Sequence, residues 1–250
     1  MPPKPILPIT FKPKLFLGLY LTFIAMTIIG TMTYCLGGYI AGKSLGYNTK
    51  LHYAYVSYPC LNKEMTPFYD TMQSIRARYS EEMENNQDFP EKEKYNVAVD
   101  GFNKIIHKSN FITSASILTP VLIGTIGFIL LIIFRRRYKD KSSLSFWQWG
   151  LIFKSLFWLR SSFMLVCGLI GMIIYKFGFS RLNDHHVSIL FGWSPFLFPV
   201  LSGSIGLIIL ATVVFKFIPI EQRLTFLVSG LFGGISGMYL WAFLGKLILP

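Results

Sequence analysis

The sequence predicts an all-α polytopic membrane protein: a bundle of about five to six transmembrane or re-entrant helices with a small extracytoplasmic cap. Three observations carry that class. Mean hydropathy is +0.49. Hydrophobic residues make up 52% of the 250-residue chain against 14% charged, which lies outside the soluble range. Apolar runs also recur at lengths of about 18 residues or more, the length at which lipid forces a helix to satisfy its own backbone.

Four runs read as spans: Leu15–Gly42, Phe111–Phe134, Phe196–Phe217 and Leu224–Leu249. The first is too long for a signal-peptide core and is followed by Gly, Tyr and Lys rather than a small-residue cleavage site, so it is expected to stay as an anchor. A fifth span lies within Leu144–Phe177, where Phe146, Trp147, Trp149, Phe153, Phe157 and Trp158 alternate with Gln148, Lys154 and Arg160. Two readings stay open there. In one, Leu144–Arg160 lies on the surface or re-enters and Ser161–Phe177 is a short span; in the other, a single long tilted helix crosses. A cation deep in lipid costs about 2.5–3.5 kcal/mol on insertion scales, so Lys154 must face protein or snorkel.

The chain divides into 1–46 (tail and first span), 47–110 (a hydrophilic insert) and 111–250 (the remaining bundle). In the insert, Leu51–Tyr58 is β-prone, Met65–Met83 has helical spacing, Glu81–Lys94 reads as a loop, and Tyr95–His107 reads as a second short helix. Sixty-four residues make a small unit, expected to rest on the bundle as a cap.

The formal charge of +12 is concentrated at the ends of apolar runs, at Lys12, Lys14, Arg135, Arg136, Arg137, Lys139 and Lys141. That is a positive-inside pattern with headgroup anchoring, not a nucleic-acid surface. It places the N-terminus and Arg135–Ser145 in the cytoplasm and residues 47–110, with eight Lys/Arg and nine Asp/Glu, outside it. The expected location is a bacterial cytoplasmic membrane. Cys35, Cys60 and Cys167 offer neither an even disulfide framework nor metal spacing; Cys35 and Cys167 read as buried thiols.

Tyr34-Cys35-Leu36-Gly37-Gly38 closes the first span and continues into Tyr39-Ile40-Ala41-Gly42-Lys43-Ser44-Leu45-Gly46-Tyr47. The stretch resembles the metal-binding helix of the site-2 protease family, intramembrane zinc metalloproteases in which H-E-x-G-H precedes such a continuation. Thr113–Phe128, with Gly124-Thr125-Ile126-Gly127-Phe128, is similar to a second core helix of that group, and Gly230–Gly237 through Pro250 is similar to its C-terminal part. Together these cover about a third of the chain.

The resemblance implies zinc in active relatives and its loss here. Tyr34 stands at the first His position, Cys35 at the Glu and Gly38 at the second His. Two imidazoles one helical turn apart hold zinc from one face and the Glu activates the bound water. A phenol with a pKa near 10 is a poor ligand, and glycine is none. Cys35 points about 100° around the helix from Tyr34. One point departs from the family: its motif lies toward the cytosol, whereas the charge pattern brings residues 34–38 toward the outer face.

Asp184, His185 and His186 form the one other polar cluster. The family's third ligand is usually an Asp from a later helix, which the resemblance would place at Asp184; alternatively Asn183 or Asp184 caps a helix start ahead of Val187. His52 and His107 read as surface or hydrogen-bonding residues. Gly38, Gly42 and Gly46 are four apart, as are Gly230 and Gly234, and Gly233 and Gly237, a spacing that lets helices approach closely in lipid. That stripe serves packing within the chain, or a dimer, or a clamp on another protein's helix.

Three functions follow. The first is a pseudoenzyme of site-2 protease type, without cofactor, that binds or regulates another membrane protein. The second is an active zinc metalloendopeptidase using Cys35, Asp184, His185 and His186. The third is an unrelated structural or assembly subunit. Expected partners are the lipid bilayer and a membrane protein or a second copy of the chain, not nucleic acid.

Overall fold

The computed structural model describes residues 11–85, 87–135, 144–175 and 184–249. Arg136, Arg137, Lys139, Lys141, Lys176, the 180–183 segment with Asn183, and Pro250 lie outside the described residues. The architecture is an all-α polytopic membrane protein: five helices are long and apolar enough to cross a membrane, and strands are confined to one short hairpin among the described residues.

Helix α1 (Pro13–Ser44) starts with Pro at its first position, where a missing N–H costs nothing. Its entry is fixed by the Lys12 N–H donating to Thr225 Oγ1 (3.1 Å) and by an ion pair of Lys12 with Glu221 at 2.8 Å. It ends where Gly46 adopts φ +80° and lets the Tyr47 N–H donate back to the Gly42 carbonyl (3.0 Å). The insert opens with an antiparallel pair, β1 (Lys50–Leu51) and β2 (Val56–Ser57), in register Lys50↔Ser57 and Leu51↔Val56. Helices α2 (Pro59–Arg78) and α3 (Ser80–Glu84) follow.

Helix α4 (Lys92–Arg135) corrects one sequence expectation. Tyr95–His107 and Phe111–Phe134 are not two helices but one of 44 residues, unbroken through the expected boundary at 110. Polar composition changes along it, but no Gly, Pro or capping pattern interrupts it near 110. At a rise of 1.5 Å per residue it is about 66 Å long, twice the roughly 30 Å of a bilayer core. Its first part therefore projects beyond the apolar part and carries α2. Phe68 of α2 lies against Gly101, and Leu61, Ala41, Tyr47, Ile105 and Ile112 form the small core beneath the cap. Glu81–Lys94, read as a loop, is helical at both ends.

Helices α5 (Phe146–Ser155) and α6 (Leu159–Tyr175), joined by a 3₁₀ turn at Leu156–Trp158, make one continuous apolar rod. That continuity is what the long-helix reading expects of Leu144–Phe177. Ser145 and Gln148 close a reciprocal capping box at its start. Then come α7 (His185–Leu190), α8 (Leu197–Thr212), which ends in a π-type turn at Val213–Phe217, a 3₁₀ turn at Ile220–Gln222, and α9 (Arg223–Ile248).

α4 is central, packed against α1, α2, α5 and α7; α9 lies on α1, and α8 lies on α6. The seams use small residues, as lipid-embedded helices require. Gly124 faces Trp158 and Gly127 faces Lys154; Gly203 faces Leu165 and Gly206 faces Ser162; Gly233 meets Tyr20 and Phe23, and Gly237 meets Ile24 and Thr27. The main apolar core gathers Phe23, Phe153, Ile152, Trp158, Val213 and Phe226. The hairpin reaches α9, where the Trp241 Nε1–H donates to the Tyr53 carbonyl (2.8 Å) and the Tyr53 N–H donates to Leu249 (3.2 Å).

Candidate functional site

At the cap end of the bundle four elements bring polar side chains together inside an apolar frame. Asp184, just ahead of α7, is fully buried. Its Oδ1 accepts from Arg160 Nη1 of α6 at 3.0 Å, and its Oδ2 is buried without a hydrogen-bond partner among the described residues. Asp184 stands at the N-cap position of α7 but makes no capping bond; its carboxylate is turned to Arg160 instead. Burial raises the Asp184 carboxyl above the usual carboxylate range, and the neighbouring guanidinium only partly opposes that.

The same guanidinium lies over the Tyr34 ring, 4.3 Å from its centroid. Arg160 thus links Tyr34 to Asp184. Tyr58, from the cap, reaches Thr113 of α4 and lies near Tyr34, and burial pushes its phenol up. On the other side of α7, His186 Nδ1 lies 2.8 Å from Asn110 Oδ1. The amide oxygen can only accept, so Nδ1 carries the proton and Nε2 is left as the acceptor. Burial, and then the charge of His185, holds the His186 imidazole down at about 4, so it is neutral at physiological pH. The His185 and His186 rings are 4.1 Å apart.

The predicted cluster of Asp184, His185 and His186 is thus one site with Tyr34, but its organising residue is Arg160, read from sequence as an interfacial cation. Asn110 was also missed. The signal for Arg160 was available: it sits inside an apolar run, and an ionisable residue there needs a partner. Among the described residues no three His, Cys, Asp or Glu side chains lie close enough to share a metal ion.

At the other motif positions, α1 and α4 touch. A Cβ on Gly38 would fall 2.2 Å from Ser116 Oγ, and one on Gly37 would fall 2.3 Å from Thr119 Oγ1 and 2.6 Å from the Ala115 carbonyl. Both hydroxyl groups are turned onto their own helix, Ser116 to Ile112 and Thr119 to Ala115. Cys35 is fully buried and Gly42 lies under Thr49. Two glycines of the expected stripes do not pack. Gly46 and Gly234 have no neighbour within 4 Å: Gly46 serves the left-handed helix end, and Gly234 faces outward while Gly230, Gly233 and Gly237 face α1. Gly46 stands two residues past the end of α1, and 100° per residue turns Gly234 away from the seam that Gly233 occupies.

Against family models, curated proteins and solved structures, the chain shows no match.

Proposed function

We propose that this chain is a non-catalytic integral membrane protein that binds and regulates another membrane protein, built on a frame like that of the site-2 proteases but without their zinc chemistry. The observation that carries the reading is the contact of α1 with α4 at Gly37 and Gly38. A catalytic helix must stand back there to admit metal, water and a peptide, and here hydroxyl groups of the neighbouring helix fill that room. Tyr34, at the first ligand position, is engaged by Arg160 rather than free to face a metal. The likeness to the proteases rests on residues 34–47, Thr113–Phe128 and the stretch from Gly230 to Pro250.

The flank for a partner is the α1–α9 side. Only 11% of the most apolar window of α1 and 17% of that of α9 is buried, against 33% or more in the other three spans. Gly234 on that flank leaves the α9 backbone open to close approach. The charge asymmetry supports an N-terminus in the cytoplasm and a cap on the other side of the membrane.

Elemental analysis of the purified chain is expected to give no stoichiometric zinc, and a photo-reactive residue at position 234 is expected to cross-link to a membrane protein in intact cells. One tightly held zinc per chain would overturn the reading in favour of a displaced metal site. Labelling of engineered cysteines near Arg136, rather than of exposed Cys60, by a membrane-impermeant thiol reagent would invert the topology.

A further inference from the structure

A groove of about 640 Å³ opens between α1 and α5, at the end of the bundle away from the cap. That volume lies within the roughly 300–1,000 Å³ typical of small-molecule sites. Its walls are mostly apolar side chains, among them Ile29 and Trp149; the hydroxyls of Thr22 and Thr33 are turned onto their own helix, and the charged lining residues are Lys14 and Lys154. Lys14 stands in the first turn of α1, at the bundle's end. Lys154 is two turns into the span, with its stem on Gly127 and no hydrogen bond or ion pair among the described residues. Among the described residues no carboxylate lines the groove. Gly18 and Gly150 line it from opposite walls, and neither has a neighbour within 4 Å, so the absence of two side chains makes the space.

From Lys14 to Thr33 the groove follows α1 for about 28 Å, longer than one leaflet's share of a roughly 30 Å hydrocarbon core. A largely apolar groove of that length, with a cation at its mouth and another part-way along it, defines one chemistry. The occupant is an amphiphile whose acyl chain runs past Gly18 and Gly150 and whose head carries negative charge. A neutral lipid would leave Lys154 without a counter-charge in an apolar wall, which lipid penalises. A partner's helix would fill the apolar space but has no need of two cations.

We infer that this groove is a binding site for an anionic phospholipid, held by its head between Lys14 and Lys154 and by one acyl chain along α1 and α5. The apolar contacts hold any lipid of the right shape, and the two ammonium groups select the anionic one. The sequence joining α4 to α5 carries Arg136, Arg137, Lys139 and Lys141, which draws the same lipids toward that leaflet.

The full-length chain, delipidated in a neutral detergent, is titrated with short-chain phosphatidylglycerol, with phosphatidylcholine of the same chain length, and with inorganic phosphate, while its thermal midpoint is followed. Native mass spectrometry counts the lipid retained. Phosphatidylglycerol is expected to raise the midpoint saturably with one lipid bound tightly; the choline lipid acts only at much higher concentration, and phosphate does not act. Lys154→Gln is expected to weaken the anionic lipid roughly tenfold, the scale of one charge-assisted contact. Gly150→Leu, which fills open space and strains nothing, is expected to abolish tight binding of both lipids. Lys43→Gln, outside the groove, is the control and should change neither. Equal effects of the two lipids would overturn the proposal, as would an effect of phosphate alone or unchanged binding in both Lys154→Gln and Gly150→Leu. A protein helix that occupies the groove and is not displaced by phosphatidylglycerol would overturn it as well.

Discussion

Around Phe23, Phe153 and Phe226 the bundle is joined ring to ring, with centroids 5.0–6.4 Å apart, and Trp149 stacks on Phe226 at 6.0 Å. Two to three turns further along the same helices, α1 and α6 are joined by Arg160, laid on Tyr34 and bonded to Asp184. The aromatic region tolerates exchange of one apolar shape for another, because lipid on the outside is as apolar as the core within. The ionic region cannot: each of its groups has been taken from water and is compensated by one named neighbour. Apolar matching therefore gives the bundle its bulk, and the buried pair fixes which faces of α1, α6 and α7 meet.

The sharpest break of that contrast is Arg160→Leu. Removing one partner of a buried ion pair typically costs about 3–5 kcal/mol, because the other charge is stranded. Asp184→Leu in the same chain should return most of that loss in a thermal-melt double-mutant cycle. If the double variant is no better than Arg160→Leu alone, the pair is not what joins these faces.

Next come the glycines. Gly38→Leu and Gly37→Leu should each destabilise by about 1–3 kcal/mol through overpacking against Ser116 and Thr119. Gly234→Leu, on open space, should be nearly silent in the same melts. A Gly38→Leu variant as stable as the parent would mean that a pocket persists between α1 and α4.

A further effect is on pH. The folded imidazole of His186 titrates at about 4, below its ordinary 6.5, so the unfolded chain binds more protons between those values. Stability from this group is complete above about 6.5 and falls as the pH drops toward 4. Asp184, raised by burial, acts with the opposite sign, losing stability as pH rises through its folded value, and His185 and Arg160 face the same space. His186→Gln, which can still donate to Asn110, is expected to flatten the decline on acidification. A melting profile over pH 4–7 unchanged by that substitution would remove His186 from the account.

The spans were legible in the sequence because lipid imposes a length and a composition on them, and Leu15–Gly42 and Phe196–Phe217 lie within two or three residues of the helical bounds. The fusion of Tyr95–His107 with Phe111–Phe134 was not legible, because the polar-to-apolar change at Asn110 looks like a boundary although the backbone does not break there. Asp184 and His186 were picked out as a polar pair, but their partners Arg160 and Asn110 are 24 and 76 residues away, and only the packing of α7 into the bundle brings them together. Gly233 and Gly234 show the limit of a spacing rule: neighbours in sequence, they face a packed seam and open space respectively.

The length of α4 has a mechanical consequence. From Asn110 to Lys92 the helix extends about 27 Å beyond the polar cluster, so a tilt of about 5° at Asn110 swings its tip by about 2.4 Å. Because Asn110 is bonded to His186, α7 bears the reaction to a sideways load at that pivot. The insert is therefore a lever on the bundle: a load on the projecting part of α4 reaches α7 through the Asn110–His186 bond.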